Sequence, residues 1–518
     1  MTIQYPESEA VEQTMTGSRA ADALHVPSEG TRRILPDSEG VFDAVARIGY
    51  EFEHAIADLV DNSIDAGARN VLVRFIYDDT AVRSVAVIDD GAGMGDKAID
   101  AAMAFGARTG KGADNLGKYG MGLKSATFSQ CNVLTVISRQ NGRATGRRWI
   151  AAKARADWSC EVLNSSAASE YMQEQQTFAV KTARKGTIVE WGDLDIFTHS
   201  MIPPEQTIGR RFQQLTTHLG LVFHRFIERG DISIQLDAVK LSSDVHGVPE
   251  TLGALNPFPR ISGLNGYPKE FVMNLGGEEL AFTGHIWKRN ATEAGFKLGD
   301  GRLSRKQGIY LYRNDRLIQA GGWNGLRNDA EVHLSLARIE FDLPSSLDSM
   351  FKLTVQKSAV SMPDEVLKAV KNAMCGRKKF SDFLADAETA YRDQKPANRV
   401  RHGLVPTHGI NKPLVERFAD ALGAAEDEDD TVEFWWDELE NDEFFRLDPD
   451  GRAIFLNSMY REAVLMGRHG SSGDAPLVKT LLMLLFKDDL SRKKRMTTNE
   501  DRLKVLNSLM VNAVRSQW

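Results

Sequence analysis

The sequence is poor in the features that mark secreted and membrane-spanning proteins. Three cysteines are spread over 518 residues without the spacing of a zinc site or a disulfide framework, which fits a reducing compartment. Residues 1–30 lack a basic segment followed by an apolar one and so do not resemble a secretory signal. Apolar runs such as "LVKTLLMLLF" fall well short of the roughly 20 residues that span a bilayer. We therefore expect a cytoplasmic protein without a membrane-spanning segment.

An overall basic charge is also missing. The formal net charge is −7, from 64 Lys and Arg against 71 Asp and Glu, which excludes a uniformly basic nucleic-acid-binding protein. Short basic stretches are present, and any of them could contact phosphates, although a solvated surface is the simpler explanation. They are "GRRW" (146–149), "WKRN" (287–290), "RKK" (377–379) and "SRKKR" (491–495).

The order of elements predicts an α+β protein built of several units. Residues 1–38 are polar and lack periodicity, and we expect a mobile arm. Residues 39–250 begin with a helical pattern and continue with β-rich segments such as "NVLVRFIY" and "GTIVEWGDL". Residues 251–376 contain "GIYLYRNDRLIQAGG", which alternates around Asn314-Asp315 as a β-hairpin does. Residues 377–518 are predicted to be mainly helical, and "EFWWDELENDEFF" (433–445) to pack in that core at helical spacing.

Two polar segments stand out within residues 39–250. In the first helical pattern, Asp58 and Asn62 are four positions apart and Asp65 follows, so all three share one helix face. A solvated acidic face is the simpler interpretation of this helix taken alone. The second segment, "VIDDGAGM" (87–94), ends a buried strand with a carboxylate beside two glycines, although Asp-Gly turns are common.

A third segment, "GKYGMGLKSA" (117–126), places glycines and a lysine before a predicted helix. Amide groups at such a position can cradle phosphate, although a mobile surface loop would have the same composition. Taken in order, "LVDNSIDAGA", "IDDGAGM", "GKYGMGLKSA" and "GTIVEW" resemble the GHKL ATPases. This family includes gyrase B, MutL, the ninety-kilodalton heat-shock chaperones, histidine kinases and the MORC ATPases. The resemblance covers about residues 41–240 and implies a Bergerat-type ATP-binding α/β sandwich.

The resemblance also implies a role for each matching residue. Asn62 would bind Mg²⁺ through its side-chain oxygen, and magnesium prefers oxygen ligands. Asp89 would accept from the adenine amino group, with support from Thr187. The remaining nucleotide contacts would come from Gly91, Gly93 and Met94 at the base, and from Gly117, Gly120, Gly122 and Lys124 at the phosphates.

Asp58 stands where the family normally has its catalytic glutamate. A carboxylate there can orient and deprotonate a water molecule, but aspartate is one methylene shorter, and small misplacements at a reacting centre are costly. We therefore expect slow ATP hydrolysis. Glu53, one turn earlier, is an alternative base whose spacing is wrong by one residue.

The second unit resembles the transducer domain of the gyrase, MutL, chaperone and MORC branches, in which a lysine reaches the γ-phosphate. "FKLTVQKSAVSMP" assigns this role to Lys357, with Lys352 as the rival and a solvated lysine as the simpler alternative. The closest resemblance is to MORC-type proteins, which implies an ATP-dependent homodimer that clamps DNA. It also implies a nuclease or helicase partner in restriction or phage defence. The alternative function is a protein-remodelling chaperone, or a regulatory ATP-binding module with little hydrolysis.

Overall fold

The structure is a computed structural model of the whole chain. It describes residues 38–46, 51–105, 122–177, 180–182, 184–194, 203–242, 247–289, 291–299, 303–327, 331–344, 347, 352–353, 360–393, 405–422, 431–437, 439, 442–448, 452–465, 473–491 and 498–516. The predicted mobile arm lies outside these residues, except for Ser38. The predicted α+β class is confirmed: sheets and helices share each of three successive units.

The first unit is built on a mixed sheet of eight described strands. The strand order is β5-β4-β3-β6-β2-β1-β7-β8, and β1 pairs in parallel with β7 and antiparallel with β2. Its strands are β1 Asn70–Tyr77, β2 Val82–Asp89, β3 Cys131–Gln140, β4 Arg143–Ile150, β5 Cys160–Val162, β6 Gly186–Leu194, β7 Ser233–Lys240 and β8 Glu250–Thr251. Its helices are α1 Ser38–Ala46, α2 Phe52–Asp65, α3 Asp96–Met103, α4 Gly122–Phe128, α5 Ala151–Asp157, α6 Ser165–Gln175, α7 Pro204–Val222 and α8 His224–Arg229.

The two faces of this sheet pack in different cores, because successive strand residues point to opposite sides. In β1, Val71, Val73 and Phe75 join the large core that includes residues of α2, α4 and α7. Leu72 joins a smaller core with residues of α6. Helix α2 therefore lies on the heavily covered face of the sheet.

The second unit is a sheet of seven described strands in the order β12-β11-β13-β10-β9-β16-β17, with β14 and β15 forming a separate pair. The predicted hairpin is confirmed: β11 and β12 pair antiparallel around Asn314 and Asp315, both with positive φ, as a type I′ turn requires. The strands are β9 Lys269–Leu275, β10 Glu278–Ile286, β11 Gly308–Arg313, β12 Arg316–Ala320, β13 Ala337–Asp342, β14 Lys352–Leu353, β15 Val360–Ser361, β16 Met374–Cys375 and β17 Lys378–Lys379; the helices are α9 Ala294–Lys297, α10 Asp364–Lys371 and α11 Phe380–Asp393.

The core of the second unit continues past the expected boundary at residue 376. Phe380, Phe383 and Tyr391 of α11 are buried in the same core as Phe271 and Phe341. Helix α11 therefore packs with the second unit.

The third unit was predicted to be mainly helical, but beside its helices it contains a sheet of four described strands. The interpretation of 433–445 as a helix is wrong, because Thr431–Asp437 is strand β19 and Phe445 begins β20. Val432 and Phe434 are buried between two parallel neighbours, so a β-branched and aromatic run is stabilised as a central strand. The elements are β18 Val405–His408, α12 Lys412–Leu422, β19, β20 Phe445–Asp448, β21 Ala453–Asn457, α13 Arg461–Leu465, α14 Pro476–Ser491 and α15 Thr498–Arg515.

The hairpin β11–β12 docks against the first unit. Arg225 of α8 pairs with Asp315, Glu340 and Asp342, and its guanidinium lies 3.7 Å from the centre of the Tyr312 ring. His224 Nε2 lies 2.9 Å from the Tyr312 hydroxyl. Charged and aromatic contacts thus hold the tip of the hairpin beside α7 and α8. Within the described part of the chain, no helix is both long and apolar enough to cross a bilayer.

Candidate nucleotide site

Three polar side chains form a row across neighbouring strands of the first sheet. Asp89 of β2 is paired in register with Thr187 of β6, and Thr187 with Ser138 of β3. The next row on the same face, two residues along each strand, is apolar: Val87, Val189 and Val136. The row therefore faces α2 at one edge of the large core, where the packing changes from apolar to polar.

Asp89 is the buried carboxylate of this row, with 5% of its surface exposed. Its Oδ1 accepts from the Gly91 amide at 2.8 Å and its Oδ2 from the Ser63 hydroxyl at 3.1 Å. Burial raises the pKa of Asp89 to about 6, because desolvation of the charged form outweighs these two hydrogen bonds. Such a carboxylate can accept a further hydrogen bond, which is what recognition of an amino group on a base requires.

Thr187 and Ser138 form a hydroxyl pair beside Asp89. Their Oγ atoms lie 2.9 Å apart, and Ser138 Oγ also donates to the Gly186 carbonyl at 3.1 Å. The Met94 amide donates to Ser138 Oγ at 2.7 Å, which ties the segment after β2 to β3. Met94 itself is half-buried and packs against the large core. The expected roles of Thr187 and Met94 at the base remain predictions.

The glycines of the Asp-Gly-x-Gly segment allow close approach of the protein's own backbone. Gly93 has φ +70°, and a Cβ there would lie 1.8 Å from the Arg139 carbonyl oxygen. A Cβ on Gly91 would lie 2.9 Å from both the Ala66 Cβ and Asp89 Oδ1. Both glycines thus set the turn that carries Asp89, and close approach of a base to them remains a prediction.

Asp58 and Asp61 of α2 are buried rather than solvated. Asp58 is 4% exposed and Asp61 is 1% exposed, which excludes the interpretation of α2 as a helix with a solvated acidic face. Arg316, the first residue of β12 in the second unit, lies against both carboxylates. Its Nε donates to Asp61 at 2.7 Å, and its Nη2 lies 3.4 Å from Asp58 Oδ1. The position of the expected catalytic base is therefore in contact with the second unit.

Asn62 follows this pair on α2 and is half-buried. In the described part of the chain, no group of three or more His, Cys, Asp or Glu side chains is placed to hold a metal ion. One amide oxygen is a suitable donor for Mg²⁺, which usually keeps several waters and is held by few protein ligands together with the phosphates. Asn62 therefore fits the expected magnesium ligand, and this role remains a prediction.

Several expected phosphate-side residues lie outside the described residues. These are Gly117 and Gly120 of the glycine-rich segment and Lys357 of the second unit. Gly122 is the first residue of α4, and Lys124 in the same helix is 3% exposed. Lys352, the rival of Lys357, lies in the short strand β14. The phosphate contacts of this set remain predictions.

Glu53, the alternative base, is engaged elsewhere. Its Oε1 accepts from Arg211 of α7 at 2.9 Å, so the side chain ties α2 to α7. The arginine that faces Asp58 comes from the second unit instead. Both carboxylates thus contact an arginine, and the assignment of Asp58 as the base remains a prediction.

Four site residues were missed by reasoning from the sequence: Ser63, Ser138, Arg316 and Asp90. Asp90 accepts from the Arg69 and Asn70 amides at 2.8 and 3.0 Å, and so anchors the start of β1. Ser63 could have been found from the sequence, because it directly follows Asn62. Ser138 and Arg316 could not, because they reach the site only through sheet register and docking of the hairpin. The alternation of "YRNDRLI" predicts that some of its side chains are buried, but not which surface they meet.

Comparison with known proteins agrees with this geometry. Residues 50–182 match the family model described as histidine kinase-, DNA gyrase B-, and HSP90-like ATPase. This segment is similar to the GHKL ATPases. It contains α2, the Asp-Gly-x-Gly turn and Ser138, whereas Thr187 and Arg316 lie beyond the matched range.

Two further proteins resemble the chain. ATPase morc-1 of Caenorhabditis elegans is 36% identical over 91 residues, which is 18% of this chain and 10% of that protein. A solved structure described as the N-terminal domain of a DNA repair protein covers 69% of this chain and 99% of its own, at 17% identity and a TM-score of 0.40. The first likeness supports a MORC-like GHKL module, and the second is too distant to indicate a shared function.

Proposed function

We propose that the protein binds ATP with Mg²⁺ at the Asp89–Thr187–Ser138 row and hydrolyses it slowly through Asp58. The observation that carries this proposal is the buried Asp89, held by Ser63 and Gly91 at the end of a strand in a GHKL module. The similar morc-1 protein is also named an ATPase. Asn62 would hold the magnesium, which supplies neutralisation of phosphate charge.

In this proposal Asp58 acts as the general base. Its carboxylate orients a water molecule and takes a proton from it as the water oxygen attacks the γ-phosphorus and the bond to the β-phosphate oxygen breaks. The products are ADP, which keeps the electron pair of the broken bond, and inorganic phosphate. Lys124 and Lys357 would stabilise the phosphate charge, as the family resemblance implies.

The wider function follows from the likeness to MORC ATPases. ATP would close a homodimer on DNA in the cytoplasm and hydrolysis would reopen it, with a nuclease or helicase partner in phage defence. The basic stretches that the structure describes give little support to DNA binding. Arg147 pairs with Asp96 and Asp100, and Lys378 pairs with Asp386, so these charges are used within the chain.

Steady-state turnover of the wild type and of Asp58→Asn tests the enzymatic part. We expect Asp58→Asn to lose turnover by about a hundredfold or more, the typical contribution of a general base, while ATP still binds. Unchanged turnover would exclude Asp58 as the base. Glu53→Gln is the matched control on the same helix and should keep its turnover.

The clamp is tested separately. With a non-hydrolysable ATP analogue, sedimentation should show a dimer, and DNA should raise the ATPase rate at moderate salt. A protein that binds ATP but ignores DNA in both nucleotide states would contradict the clamp. That result would favour the remodelling or regulatory alternative.

A further inference from the structure

We propose that Arg316 is a positioning residue that acts through Asp58 and makes ATP turnover depend on the docking of the second unit. The inference rests on the proposed function. Arg316 follows the Asn314-Asp315 turn directly, so the hairpin tip presents this guanidinium to α2 of the first unit.

The contact of Arg316 with the two carboxylates is uneven. Nε is 2.7 Å from Asp61, whereas Nη2 is 3.4 Å from Asp58. The guanidinium therefore binds Asp61 more closely than Asp58. This longer contact orients the Asp58 carboxylate without forming a short ion pair.

An arginine at the hairpin tip suits the charges of this group. Two carboxylates one helical turn apart repel each other when both are buried, and the Arg316 guanidinium offsets part of that repulsion. Because the planar guanidinium has several fixed donors, it can contact both carboxylates at once, which a lysine cannot do with the same geometry. Arg316 thus keeps both acids in place on α2.

An aspartate in place of the family's glutamate makes this support more important. Its carboxylate has a shorter reach and must be held in a narrower range of positions to meet the attacking water. The neighbouring Asp61 is 1% exposed and accepts a hydrogen bond from Arg316 Nε. This buried pair supports the contact of Arg316 with Asp58. Asp61 and Arg316 together orient Asp58 from the side of the second unit.

The same hairpin carries the other contacts between the two units. Arg225 and Arg229 pair with Asp315, the residue before Arg316, and Tyr312 contacts His224. A movement of the hairpin relative to α2 would therefore move the guanidinium away from Asp58. One side chain, Arg316, thus couples docking of the second unit to the position of the Asp58 carboxylate.

The experiment compares kcat and ATP affinity of the full chain in Arg316→Ala, Arg316→Lys and the control Arg225→Ala. Arg225 holds the same hairpin through Asp315, Glu340 and Asp342 and does not contact Asp58. We expect kcat to fall by about tenfold to a hundredfold in Arg316→Ala and less in Arg316→Lys, the scale of a small misplacement at a reacting centre. ATP affinity should stay within about threefold, and Arg225→Ala, which loosens the hairpin but keeps the Arg316 guanidinium, should lose clearly less kcat than Arg316→Ala.

A double-mutant cycle separates a positioning role from a structural one. In the Asp58→Asn background, Arg316→Ala should cause no further loss of kcat, because the two residues act as one unit. Independent losses that multiply would overturn the proposal. So would an unchanged or raised kcat in Arg316→Ala, or an equal loss in Arg225→Ala.

Two outcomes keep this inference distinct from the proposed function. If the wild type binds ATP without Asp58-dependent turnover, the proposed function fails and the inference fails with it. If the wild type hydrolyses ATP and both Arg316 variants match it, only the inference fails. Should Arg316→Ala not fold, Arg316→Lys decides alone: a kcat equal to that of the wild type contradicts the proposal.

Discussion

At the scale of single residues, Asp89 shows how burial prepares a carboxylate for recognition. Both of its oxygens already accept a hydrogen bond, from Gly91 and Ser63. An adenine amino group would need a further lone pair on the same carboxylate. Because burial raises the pKa of Asp89 to about 6, a proton competes for that lone pair just below neutral pH.

ATP affinity should therefore fall when the pH is lowered from 7.5 to 5. The expected loss approaches tenfold, the factor that one pH unit below the pKa allows if only the ionised form binds. Titration with a fluorescent ATP analogue at several pH values measures it. Asp89→Asn is the control: it should bind weakly at every pH. A wild-type affinity that is constant over this range would contradict the assignment of Asp89 to the base.

At the scale of elements, the turn after β2 depends on glycine for a reason internal to the protein. Gly93 has positive φ, and the space where its Cβ would be is filled by the Arg139 carbonyl. Gly142, in the β3–β4 turn, also has positive φ, +81°, but a Cβ there meets nothing within 4 Å. A comparison of substitutions at the two positions therefore separates the energetic cost of a positive φ from that of steric overlap.

Gly142→Ala should lower the free energy of unfolding by about 1–2 kcal/mol, the cost of a left-handed residue with a Cβ. Gly93→Ala should lower the free energy of unfolding clearly more, because either β3 or the turn at 90–94 must move to make room for the Cβ. It should also weaken ATP binding, because Asp89 directly precedes this turn. Urea unfolding and ATP titration of both variants provide the comparison. Equal costs at the two sites would show that the Arg139 contact yields easily.

Helix α2 shows what a sequence pattern can and cannot predict. Helical spacing places Asp58 and Asn62 on one face, and that part depends only on 3.6 residues per turn. The pattern does not show that Asp58 and Asp61 are buried, because their counter-charge, Arg316, lies more than 250 positions along the chain. Burial of charge is a property of the docked units and not of the helix.

At the scale of the whole molecule, segments with strong local signals were predictable. "GTIVEWGDL" is strand β6 over its full length, and the Asn314-Asp315 turn closes the predicted hairpin. The misread segment 433–445 has aromatic and acidic residues that fit a helical period, yet β18 and β21 flank it on both sides as parallel partners. Such pairing joins residues far apart in sequence, so no local window contains the information.

The interface between the first two units should be sensitive to acid through His224. This residue is 1% exposed and contacts Tyr312 across the interface. Burial, followed by the charge of Arg225, lowers the pKa of His224 to about 4 from its usual 6.5. In the folded protein His224 therefore stays neutral where the unfolded chain already binds a proton. Stability from this residue is full above pH 6.5 and is lost as the pH falls towards 4.

The loss should reach about 3 kcal/mol at pH 4, from roughly 1.4 kcal/mol for each unit of pKa difference. His224→Gln keeps a neutral polar side chain near Tyr312 but cannot titrate, so its free energy of unfolding should fall less between pH 7.5 and 4.5 than that of the wild type. Denaturant unfolding at both pH values gives the difference. His218, whose pKa burial lowers to about 3, is present in both proteins, so its acid sensitivity cancels. A wild type and variant that lose stability in parallel would show that His224 is not held neutral by the interface.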